Sequence, residues 1–174
     1  MSESNETRSV TIQRVFEAPI DLVYRAWTEA EHVSQWMKCD PAATLVLENW
    51  KPAVGVEFTT HMALEGKFDV KGTGRFLEVD PPRLLTYTSD PNPEIGAPEL
   101  TIRIELEEID GGTQLTLTHS GLPNEGFCGI VEGGWSVSLG LLQDLVFAML
   151  SAYAGSVMTK SAQAPSADDS SDVD

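Results

Sequence analysis

The chain has 174 residues, enough for one ordinary domain whose core folds without disulfides, and a second domain is not expected. Eleven Lys and Arg stand against 27 Asp and Glu, a formal net charge of −16, so the surrounding field repels phosphate backbones and anionic headgroups and argues against nucleic acid as a partner. Cys39 and Cys128 fall in no Cys-x-x-Cys or Cys/His spacing, which makes free thiols the expectation, with no metal site and no cofactor motif.

The first residues, MSESNETRSV, hold no apolar run behind a basic one, so no signal peptide is read and a cytoplasmic location is expected. Residues 1–7 read as a flexible lead-in and 8–153 as the folded domain. From Arg8 the pattern alternates, with Val10, Ile12 and Phe16 on one side, the mark of a half-buried strand. Ala18-Pro19 breaks it. PIDLVYRAWT then places proline at the first helical position, Asp21 in the first turn and Ile20, Val23, Tyr24 and Trp27 at helical spacing. Thr28-Glu29-Ala30-Glu31 has the form of a capping box, so a second short helix is expected to run to about Trp36-Met37.

Strands follow. Leu45 and Leu47 suggest one, and Val56, Phe58 and Met62 another. Glu65-Gly66-Lys67 turns the chain into a run from Phe68 to Val79, and Leu84 to Thr88 makes the next strand. Between these two, Asp80-Pro81-Pro82-Arg83 must be a turn, because proline has no N–H to give a sheet ladder. DPNPEIGAP (90–98) is a loop by composition. Leu100, Ile102, Ile104 and Leu106 then alternate with polar residues, Asp110-Gly111-Gly112 closes a hairpin, and Leu115 and Leu117 continue the pattern: a sheet with one dry and one wet face.

The cover for the dry face is the segment from about Val131 to Tyr153, where Trp135, Leu139, Leu142, Val146 and Met149 repeat at steps of three and four, widened by Leu145 and Leu150. It is apolar enough for a membrane span to be considered. Gln143 and Asp144 in mid-segment and the absence of a flanking basic cluster favour burial on the sheet, and no membrane association is expected. Residues 154–174 read as a disordered tail carrying four Asp and one Lys, so most of the acidity belongs to the domain itself.

VTIQRVFEAPIDLVYRAWTEAEHVSQWM at the front, GTGRFLEVDPPRLLTYT in the middle and GGWSVSLGLLQDLV at the back together resemble the START-like (SRPBCC) superfamily. Within it, the chain is similar to the homologues of the activator of heat-shock protein 90 ATPase over residues 8–152. The resemblance implies an α+β helix-grip fold: a curved antiparallel sheet of roughly six to seven strands around a long C-terminal helix, two short helices after the first strand, and a cavity between sheet and helix. Gly72 and Gly74 stand where a strand of such a sheet would bend, and the shift of apolar parity from Phe76 to Leu77 fits a bulge or a strand covered on both faces. Phe68, Val70, Phe76, Leu77, Val79, Leu85 and Tyr87 then read as cavity wall, a solid core being the alternative.

For a bound apolar molecule the candidate contacts are Trp50, Phe58, Phe68, Phe76, Tyr87, Ile102, Ile104, Leu117, His119, Trp135, Leu139 and Leu142. His119 follows Leu115 and Leu117 onto the dry face, where it is either a hydrogen-bond donor or general acid/base, or a strand-end histidine tied to backbone. Arg14 by the same parity either receives a carboxylate or pairs at an edge. Glu57 and His61 fall on the wet parity. The glycine-rich SGLPNEGFCGIVEGG reads either as a mobile entrance to the cavity or as a helix that begins near Gly126.

Three functions stay open at this level: a binder of a small hydrophobic molecule without an assigned reaction, a cochaperone-like activator of a heat-shock ATPase, and a cyclase, dehydratase or hydrolase using His119, Tyr87 or His61. The eukaryotic activators carry an additional N-terminal domain without a counterpart here, which weakens the second. A monomer and a homodimer fit equally.

Overall fold

Among the described residues, 6–162 of the computed structural model, the alternating stretches form strands and the 3.6-periodic ones helices. In chain order they are β1 (Arg8–Phe16), α1 (Ile20–Thr28), α2 (Ala30–Trp36), β2 (Thr44–Glu48), β3 (Glu57–Leu64), β4 (Phe68–Asp80), β5 (Leu84–Ser89), β6 (Leu100–Ile109), β7 (Gly112–Leu122) and α3 (Glu125–Ala162). The strands make one antiparallel sheet in the order β1-β7-β6-β5-β4-β3-β2. The chain meanders from β2 to β7, and β1 then closes on β7 with Val10 opposite His119 and Ile12 opposite Leu117.

The sheet curves because β4 serves two halves of it. Residues 68–75 pair with β3, whereas residues 76–80 pair with β5. At the changeover stands Gly74, where a methyl group would run into the Thr88 carbonyl and the Phe58 ring; at Gly72 it would meet only Thr60 Oγ1, at 3.0 Å. The parity shift at Leu77 is a bulge: Phe76 faces Tyr87, Glu78 faces Thr86, and Leu77 between them is exposed. Gly74→Ala is therefore expected to cost about 1–3 kcal/mol in urea unfolding through overpacking, and Gly72→Ala much less. Equal values for the two would show that the bend does not depend on Gly74.

One sequence reading of a helix end changes, and another that stood open is decided. Thr28 does not cap α2; it is still inside α1, where its hydroxyl donates to the Tyr24 carbonyl at 2.9 Å. Glu29 occupies the N-cap position without a side-chain cap bond, since its carboxylate is held by Arg25 at 2.7 Å and meets His32 at 2.9 Å. At α3 the helix starts at Glu125, six residues before Val131 and at the earlier of the two starts read from the sequence, because the side chain of Asn124 accepts the N–H of Phe127 at 2.9 Å and caps it. SGLPNEGFCGIVEGG is thus the end of β7 and the first turns of α3 rather than an entrance loop. The helix also runs past residue 154 to Ala162; residues 1–5 and 163–174, and with them most of the expected flexible lead-in and acidic tail, lie outside the described residues.

By length and composition α3 is long and apolar enough to cross a membrane. In the fold its stripe Trp135, Leu139, Leu142 and Val146 is buried, while Phe147, Tyr153 and Val157 are exposed. Trp27 anchors the short helices: its ring lies 4.3 Å from that of Trp36 and 6.0 Å from that of Trp135, tying α1, α2 and α3 together. Trp36 adds an N–H bond to the Ala26 carbonyl at 2.8 Å.

Candidate functional site

Along the dry face, residues at one parity form successive rows across the central strands. One row is Leu85, Ile104 and Leu117, all buried; the next is Tyr87, Ile102 and His119. Parity puts both rows under α3. Only the second faces open space, a cavity of about 280 Å³ between the sheet, α3 and the connector that follows α2.

Its inner wall is Trp50, Phe58, Tyr87 and Ile102, with Trp135 and Ser138 from α3. Trp50, Phe58, Phe76 and Tyr87 form an edge-on aromatic cluster with Trp50 at its centre, 4.6 Å from Phe58, 5.0 Å from Phe76 and 5.4 Å from Tyr87. Trp50 is reached through a loop, yet it is buried and donates its indole N–H to the Trp27 carbonyl at 3.3 Å. On the other side lie Met37, Lys38 and Cys39. Their connector is pinned by the Ser138 hydroxyl, which donates to the Lys38 carbonyl at 2.8 Å, and by the Lys38 ammonium, which donates to the Ala43 carbonyl at 3.0 Å. The Cys39 thiol is exposed and touches the Met62 sulfur at 3.7 Å, so the rim there is sulfur-rich and apolar.

Besides the threonine, serine and lysine side chains in the lining, two polar groups with perturbed titration reach the interior, His119 and Tyr87. The Trp135 indole N–H donates to His119 Nδ1 at 2.9 Å, which makes Nδ1 the acceptor and leaves the ring proton on Nε2. His119 is only 8% exposed, and burial pushes its pKa down to about 4, so the ring is neutral at ordinary pH. The Tyr87 hydroxyl has the Met37 sulfur at 3.8 Å as its partner, and burial raises its pKa.

Of the residues singled out from sequence, Trp50, Phe58, Tyr87, Ile102, His119 and Trp135 line the cavity. Phe76, Ile104, Leu117, Leu139 and Leu142 do not; they are close-packed in the core beside it, and Phe68 is half-buried at the start of β4. His61 points the other way, its Nε2 2.6 Å from Asp69, over a polar groove shared with Glu48, Lys71 and Asp90. Arg14 is exposed and bonds the Gln13 carbonyl, so it receives nothing in the cavity. Lining residues not singled out from sequence include the connector residues 37–39, Met62 of β3, Thr88 of β5, and Gly134 and Ser138 of α3. Ser138 had a signal, a polar residue one turn after Trp135 on an apolar face; the connector had none. Glu29, Glu31 and His32 gather their ligand-type atoms within 4.8 Å, but Arg25 already neutralises Glu29.

A bent antiparallel sheet gripping a long C-terminal helix, with an apolar hollow between them, defines a START-like helix-grip domain. The chain belongs to the family of activator of Hsp90 ATPase homolog 1-like proteins, whose model matches residues 17–146. Similar solved structures include protein CV1439 from Chromobacterium violaceum, 24% identical with a TM-score of 0.70, covering 79% of this chain and 96% of that one. The AHSA1-like protein from Aeromonas hydrophila is 22% identical with a TM-score of 0.69, covering 82% and 94%. CalU16 from Micromonospora echinospora is 27% identical with a TM-score of 0.61, covering 81% and 77%. No curated protein matches the chain.

Proposed function

We propose that the protein binds a small, mostly apolar molecule in the cavity between the sheet and α3. The supporting observation is the cavity itself: about 280 Å³ whose accessible wall is mainly aromatic, aliphatic and thioether, in a domain where the row Leu85, Ile104 and Leu117 beside it is close-packed. The volume is at the small end of the range for ligand sites. An apolar occupant would gain dispersion contacts with this wall and remove apolar surface from water.

The test uses Gly134. It lines the cavity from α3, and a Cβ there would meet only Cys39 Cβ, at 3.7 Å. Gly134→Leu fills the space while gaining about 0.8–1 kcal/mol of helix propensity, so loss of binding would not reflect unfolding. Titration with the neutral fluorophore N-phenyl-1-naphthylamine is expected to saturate at one site per chain in the wild type and to fail in Gly134→Leu. Absence of binding in the wild type, or undiminished binding in the variant, would sink the proposal. Leu142 does not serve for this purpose, since bulk there would break the core.

The family description carries a second reading, stimulation of an Hsp90-type ATPase. An unchanged ATPase rate of the host chaperone with this protein added would end it.

A further inference from the structure

We infer that the molecule held in the cavity carries an uncharged acceptor oxygen, such as a carbonyl, which accepts a hydrogen bond from His119 Nε2–H. This rests on the cavity being a ligand site. The first support is a polar atom without a partner. With Nδ1 taken by the Trp135 indole at 2.9 Å, Nε2 carries the proton, and among the described residues it has no hydrogen-bond partner. His119 is 8% exposed and lines the cavity, so the cavity's contents are what remains to satisfy it. Buried donors in native proteins are nearly always met, and an orphan calls for an occupant.

The geometry fixes what kind of occupant. The indole bond locks the tautomer, so Nε2 only donates and selects a group that offers an accepting lone pair. Trp135 is itself packed 6.0 Å from Trp27, which holds the imidazole in place before anything binds. A site that presents a fixed donor discriminates strongly against an analogue lacking the matching oxygen, because that analogue excludes water from the donor and leaves it bare.

Charge decides between a neutral oxygen and a carboxylate. Lys38 is the cavity's one ammonium among the described residues, and its Nζ is bonded to the Ala43 carbonyl at the connector. An anion would have to approach a molecule of net charge −16 and settle beside a neutral, buried ring. A ketone, ester or quinone-type oxygen carries no such penalty.

Three probes of one shape test this on the full chain labelled with 15N-histidine: 2-acetylnaphthalene, 2-isopropenylnaphthalene, in which CH2 replaces the oxygen, and 2-naphthoate. The ketone is expected to bind about tenfold or more tighter than the hydrocarbon and tighter than the acid. It should shift the Nε2 resonance of His119 further than the hydrocarbon of the same shape does. In His119→Leu the advantage of the ketone should shrink to within about twofold. The wild-type resonance decides the matter even if that variant folds poorly. Equal affinity for ketone and hydrocarbon, or an Nε2 signal that the bound ketone moves no further than the hydrocarbon does, would overturn the inference while leaving the cavity as a binding site. Tighter binding of 2-naphthoate would overturn its uncharged part. Failure of all three probes to bind would remove the ligand site and the inference with it.

Discussion

Trp50→Ala is expected to lower the free energy of unfolding by about 3–5 kcal/mol, as large-to-small changes at buried aromatics do. Three rings surround the indole at 4.6, 5.0 and 5.4 Å, on β3, β4 and β5, so the side chain is where the curled half of the sheet is stapled together. Its N–H bond to Trp27 extends the staple to α1. The loop that delivers it is held too: Asn49 adopts a φ of 58° and donates its side-chain N–H to the Glu57 carbonyl at 2.6 Å. Urea unfolding followed by far-UV circular dichroism measures the loss. Trp50→Phe keeps a ring but not the N–H and should cost about 1–2 kcal/mol. A loss below about 1 kcal/mol for the alanine variant would show that the cluster is not a unit.

The second large effect is acid destabilisation through His119. Burial depresses the folded-state pKa to about 4, against 6.5 for the free group. Above the unfolded value both states are neutral and the stability is complete. As pH falls below about 6.5 the unfolded chain takes up a proton that the folded one refuses, so stability is lost, and the loss is complete below about pH 4. Its size is of order 3 kcal/mol. The refusal has a local cause besides desolvation: imidazolium would carry a proton on Nδ1, where the Trp135 N–H already points. Unfolding series from pH 7.5 to 4.5 should therefore show a slope that largely disappears in His119→Gln. Glu29, whose pKa is lowered chiefly by its hydrogen bond from Arg25, loses stability in the same direction as pH falls, but it does so equally in both proteins. Parallel slopes would mean that His119 titrates normally in the folded state.

Much of the architecture was legible before any coordinates. The alternation from Leu100 to Thr118 encodes β6 and β7, the two prolines place the β4–β5 turn, and the parity slip at Leu77 marks the bulge, because each is a local property of the pleat or of proline's missing N–H. Helix ends were read less well. Thr28 and Glu31 have the capping-box pattern, but Glu29 already satisfies two neighbours, and which bond forms depends on where Arg25 and His32 lie in space. The start of α3 stayed divided between two readings because Gly126, Gly129, Gly133 and Gly134 are poor helix formers, and Asn124 as its cap settled the earlier one.

What the sequence by itself determined is the set of faces: period two assigns Leu117 and His119, Ile104 and Ile102, to the same dry side of the sheet. Only the tertiary structure decided that the row Leu85, Ile104 and Leu117 is packed solid while the row Tyr87, Ile102 and His119 opens on a cavity. Alternation records which side a residue takes but not how far the covering helix stands from it. That distance is set by how a bent β4 and the Trp27, Trp36 and Trp135 contacts seat α3, and by a connector at residues 37–39 that lies far away along the chain.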